Sequence, residues 1–99
     1  MERTLRVGAV TQVTPEMFAA IPSLHVTANC KCGCATIWFG PKGDASSGRM
    51  LADALATSGD QNIQVIVWAI EDAIVGLELV GPGPVALPDA SSVRSYSGA

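Results

Sequence analysis

The chain has 99 residues, enough for one domain around one modest core. Nine acidic and six basic residues leave a net charge of −3, which excludes electrostatic attraction to a nucleic-acid backbone or an anionic membrane surface. No run of about 20 apolar residues offers a membrane span, and no basic, then apolar, leader opens the chain.

Three cysteines crowd into Cys30-Lys31-Cys32-Gly33-Cys34. An odd, clustered set does not suit a secreted disulfide framework, so a reducing cytoplasm is the expected setting. Hydrophobic residues make up 48% of the chain and charged residues only 15%, with a mean hydropathy of +0.35. A chain this small leaves much of its surface in water, so that surface includes apolar area. Large apolar patches mark interfaces, which predicts a homo-oligomer, most simply a homodimer. The competing account is that Ala and Gly raise the score without forming a patch.

Met1 to Val13 places Leu5, Val7 and Ala9 at period two, which predicts a short edge strand or a loose arm. Thr14-Pro15-Glu16 reads as a helix start, with a capping hydroxyl, a proline at the first helical position and an acid in the first turn. A short helix through Met17, Phe18 and Ile21 should stop before Pro22.

From Leu24 to Lys31 the apolar set is Leu24, Val26, Ala28 and Cys30. After Gly33 it is Ala35, Ile37 and Phe39. A two-residue turn at Cys32-Gly33 accounts for the change of phase and pairs Ala28 with Ile37 and Val26 with Phe39. The alternative is one long strand with a bulge at Gly33. Gly40 to Gly48 reads as a loop. Its glycines do not match a phosphate-binding pattern.

Arg49 to Thr57 is ambiguous. Met50, Leu51, Ala54 and Leu55 suit a helix face, but a turn at Ser58 to Asn62 leads into an obvious strand, which tips the reading toward an extended segment. Ile63 to Ile70 is the strongest strand. A turn at Asp72-Ala73 returns the chain through Ile74 to Val80 and pairs Ile70 with Val75, Trp68 with Leu77 and Ile66 with Leu79. Ala73 is awkward there, because a β-carbon at positive φ costs about 1–2 kcal/mol. The opposite face then holds Val65, Val67, Ala69, Ile74, Gly76, Glu78 and Val80. A sheet apolar on both sides must be covered on both. One short helix covers one side, so Val65, Val67, Ala69, Ile74, Gly76 and Val80 are the candidate self-association surface. The rival cover is the tail from Pro84 to Tyr96 folding back. Ser95 to Ala99 is expected to fray.

The string Asn29-Cys30-Lys31-Cys32-Gly33-Cys34-Ala35-Thr36 resembles one in a group of small uncharacterised bacterial proteins. In that group a Cys-x-Cys-Gly-Cys-Pro-Ser/Thr string follows a short helix, a strand, an Asp-Gly turn and a second strand come later, and a Leu-Pro-Asp-Pro-like segment closes the domain. Ile66 to Leu79 and Leu87-Pro88-Asp89 resemble those later parts, so the likeness spans roughly residues 15 to 94. This chain departs from it at Ala35, where the group has Pro, and at Ala73, where it has Gly. The resemblance implies a fold, favours the extended reading of Arg49 to Thr57, and implies no activity.

The chemistry of Cys30, Cys32 and Cys34 has two readings. Three thiolates invite zinc. Same-face neighbours on a strand lie roughly 6.6 Å apart, whereas sulfurs around one zinc lie within about 4 Å of each other, and the spacing misses the usual gap of two to four residues. A dimer apposing two hairpin tips is the route by which the thiols would gather. Redox pairing, with Lys31 lowering a thiol pKa, is the other thiol reading. Small buried thiols also serve as plain core residues.

His25 sits on the polar face, and no Gly-x-Ser-x-Gly elbow accompanies it. Trp38 and Trp68 suit packing or a ligand wall. The expectation is therefore an α+β domain with a mostly antiparallel sheet of four or five strands and a short N-terminal helix. It has no catalytic residue and no cofactor, no nucleic-acid or membrane partner, and an unspecified small-molecule ligand at most. It acts as a self-associating binding or assembly module, against the alternative of a thiol-dependent protein, metal-binding or redox-active.

Overall fold

A computed structural model describes residues 1–26, 28–29, 36–39, 48–71, 73–81, 88 and 90–95, with the backbone alone at 28, 29 and 90. Two short helices, α1 (Glu2–Gly8) and α2 (Pro15–Ala20), precede five strands, β1 (Ala28–Asn29), β2 (Ile37–Trp38), β3 (Arg49–Ser58), β4 (Gln61–Ile70) and β5 (Ala73–Val80). The strands form one sheet in the order β1-β2-β5-β4-β3, every neighbouring pair antiparallel. The fold is α+β, as the sequence predicts.

α2 begins as its sequence dictates. The Met17 amide donates to Thr14 Oγ1 at 3.2 Å, Pro15 stands in the first turn, and Met17 is buried. A 3-10 turn, Ile21–Ser23, carries the chain through Pro22. The segment before Thr14 differs from the edge strand or arm expected there: Glu2–Gly8 is helical. Its buried stripe is Thr4, Leu5 and Gly8, with Met1 packed beside it. That is helical spacing, masked in the sequence because Thr and Gly occupy two of its positions. Arg6 pairs with Glu2 at 2.8 Å on the outer side and lies over the Phe18 ring at 4.7 Å, joining α1 to α2.

β3 and β4 form the longest pair, joined by a two-residue turn in which Gly59 takes φ 59°. Arg49–Ser58 is thus strand, the reading toward which the sequence tips. The return into β5 is one residue earlier than expected. Ile70 pairs with Ala73 and Ala69 with Ile74, so the chain already turns at Glu71, which takes φ 54°. The chain thereby keeps Ala73 out of the left-handed region. The register then steps between Trp68 and Ala69, so that Trp68 meets Gly76, Val67 meets Leu77 and Val65 meets Leu79. This bulge reassigns the faces of the pair.

β1 and β2 are antiparallel, but Ala28 pairs with Trp38 and Asn29 with Ile37. The register is one residue from the expected Ala28–Ile37 match, and it follows from β2's docking on β5, with Ile37 against Leu77 and Trp38 against Gly76. The turn at Cys32-Gly33 lies outside the described residues. Thr36, also buried, ties this end down: the Leu79 amide donates to its hydroxyl at 2.9 Å.

The core lies between the helices and the inner sheet face. Leu51, Ala52, Ala54 and Ala56 of β3, Ile63, Val65, Val67 and Ala69 of β4, and Ile74, Leu77 and Leu79 of β5 pack with Leu5, Met17 and Val93. Small alanines under α1 let the helix come close, and a β-carbon on Gly8 would collide with the Asp53 carbonyl. The exposed edge of β3 is covered from both ends of the chain. Ala9 bridges to Ala52 and the Val10 amide donates to the Leu51 carbonyl at 3.0 Å. Leu55 and Arg94 exchange two backbone bonds of 2.8 Å. Such cover protects a sheet edge from adventitious pairing.

Candidate functional site

The residues expected to form an open apolar face divide. Val65, Val67, Ala69 and Ile74 are at most 5% exposed and belong to the core. Gly76 and Val80 point to the other side, because they pair with Trp68 and Gln64. The bulge after Ile74 is the cause. It shifts β5 by one position, so that Leu77 and Leu79 join Val67 and Val65 beneath the helices. Among the described residues, the tail expected to compete for that face does reach it, through Val93 in the core and Pro88 beside the same strands. The Arg3 guanidinium donates from Nε to the Val93 carbonyl at 2.6 Å and holds it there.

The outer face is therefore a different set from the one read in the sequence. Its first row crosses four strands: Trp38, Gly76, Trp68 and Met50. The second is Asp53, Ile66 and Glu78, and the third Leu55, Gln64 and Val80. Trp38 rests on Gly76, where a β-carbon would meet the indole ring. Two diagonal bonds cross the face. Trp68 Nε1 donates to Glu78 Oε1 at 3.0 Å, and Gln64 Nε2 donates to Asp53 Oδ1 at 2.9 Å. They flank Ile66, which is only 6% exposed although it faces away from the helices. Val80 is 42% exposed. At the lower corner the Arg94 guanidinium lies over Thr57 and Asn62, with Nη2 donating to Asn62 Oδ1 at 3.0 Å. Sequence reasoning missed Arg94 and both diagonal pairs. Gly76 in a strand interior was the available signal for a close approach.

Cys30, Cys32 and Cys34 lie outside the described residues. Among the described residues, no three His, Cys, Asp or Glu side chains gather as metal ligands, and no helix is long and apolar enough to cross a membrane. His25 is exposed. A cavity of about 180 Å3 lies between α1 and the inner face, lined by Met1, Thr4, Val65, Leu77, Leu79, Pro88 and Val93. That is below the ~300–1,000 Å3 of ordinary ligand sites, and it lacks their convergent polar groups. The Met1 amino group has its pKa lowered by desolvation, partly offset by Glu2.

The fold and this face define a small two-layer α+β domain, with helices on one side of the sheet and a mixed apolar surface on the other. No family model matches the chain, and no curated protein or solved structure matches it.

Proposed function

We propose that this chain is a small binding or assembly module that self-associates as a homodimer through the outer face of its sheet, with no catalysis of its own. The observation that carries the reading is how that face handles its charges. Asp53 and Glu78 each accept a bond from a neutral neighbour on the same face, so each keeps one bonded oxygen at an interface, and the charge that remains calls for a cation from the partner or a place at its wet rim. Around them stand Leu55, Ile66, Trp68 and Val80, the kind of side chain that sheet-on-sheet packing buries. The low charged fraction of the chain supports the same reading. The crowded cysteines suit a reducing cytoplasm, and the likeness of Asn29 to Thr36 to small bacterial proteins adds no activity.

Native mass spectrometry and sedimentation equilibrium test this directly. The expected result is a species of twice the chain mass, weakened by Val80→Asp with the fold retained. A wild-type chain that stays monomeric at all concentrations refutes it. The same spectrum reports bound metal, so a zinc-loaded species would favour the thiol reading of Cys30, Cys32 and Cys34.

A further inference from the structure

We infer that two copies pack outer face to outer face about a two-fold axis near Leu55, so that Arg94 of each copy meets Asp53 of the other. This rests on the self-association proposed above and specifies its geometry. Asp53, Leu55 and Thr57 share the outer side of β3 at two-residue intervals, through their partners Ile66, Gln64 and Asn62. Each interval is about 6.6 Å, so Asp53 and Thr57 stand equal distances from Leu55. The Arg94 backbone is joined to Leu55 itself, and its guanidinium reaches back over Thr57 and Asn62.

A two-fold axis in the plane between the sheets, perpendicular to the strands at the Leu55 row, keeps each strand over its own copy and reverses direction along it. Leu55 then meets Leu55, and the Asp53 row meets the row over which Arg94 lies. Two equivalent acid–base contacts result, one on each side of an apolar centre. Aligned sheets about 10 Å apart pack in this way. Glu78 is the other acid in the second row, but it stands on β5, two strands from β3 and about 9.6 Å away. An axis parallel to the strands leaves Arg94 level with the Thr57 row and never brings it opposite the Asp53 row. An isologous contact must be self-complementary, and this orientation supplies opposite charges at mirrored positions. Asp53 still accepts from Gln64, because a carboxylate offers several acceptor sites.

Mixed charge reversal tests the inference. Arg94→Glu and Asp53→Arg each create two like-charge contacts in their own homodimers, and each is expected to raise the dimer dissociation constant about tenfold or more. Mixed in equal amounts, the two chains restore both contacts and should form a heterodimer close to wild type in affinity. Far-UV circular dichroism checks each fold. Should a reversal unfold the chain, Asp53→Asn and Arg94→Gln provide the milder pair, expected to weaken the dimer and flatten its salt dependence. A wild-type dimer that neither variant pair weakens, or reversals that mixing does not rescue, overturns this geometry and leaves the self-association reading standing. A monomeric wild type overturns both.

Discussion

Gly76 occupies the middle of β5 with Trp38 across one ladder and Trp68 across the other. Where other residues carry a β-carbon, it has the six-membered ring of Trp38. Gly76→Val should expel that ring and cost about 1–3 kcal/mol, seen as a lower urea midpoint and a red-shifted tryptophan emission. Glu71 makes the opposite case. At φ 54° it bears a β-carbon in the left-handed region, a penalty of about 1–2 kcal/mol. Glu71→Gly removes this while giving the unfolded chain about 0.4–1 kcal/mol of extra entropy. Its thermal midpoint should therefore rise modestly. The bond from Arg49 Nη2 survives, because it goes to the Glu71 carbonyl. The sequence shows the cost of Ala at positive φ, and the folded chain meets the problem by placing that conformation at Glu71, two residues earlier.

At the scale of elements, α2 was legible because its start is local. Thr14, Pro15 and Glu16 act through the backbone within one turn. Thr14→Ala should lower stability by about 1 kcal/mol, read as a shift in urea midpoint with an unchanged slope. α1 was not legible, because two of its buried positions are Thr4 and Gly8. The reason for a glycine there is the Asp53 carbonyl of a strand some forty-five residues later, which no local pattern contains. β4 and β5 were found as strands, but their register was not. A hydrophobic pattern specifies register only when the chain is free of bulges, and both the β3–β4 and β4–β5 ladders contain one.

At the scale of the molecule, the tail closes the structure. Val93 is 5% exposed against the core, and Ser92 and Arg94 on either side of it bond to β3. Val93→Asp places an unpaired carboxylate beneath α1. Such a buried charge costs about 3–5 kcal/mol, so the variant should melt far below wild type, and hydrogen exchange should quicken along Leu55 to Thr57. The outer face responds differently. Val80 is already 42% exposed, so Val80→Asp should alter association while leaving the melting temperature of the monomer nearly unchanged.

By itself the sequence determined the α+β class, the capped helix at Thr14 and the strands at Ile63 to Ile70 and Ile74 to Val80, because those follow from contacts within a few residues and from composition; it only tipped Arg49 to Thr57 toward strand. Only the tertiary structure decided which side of the sheet was buried. One extra residue at Val75 turns Leu77 and Leu79 inward and leaves Trp68, Gly76 and Val80 outward. That bulge is a property of paired strands, and a single strand does not carry it.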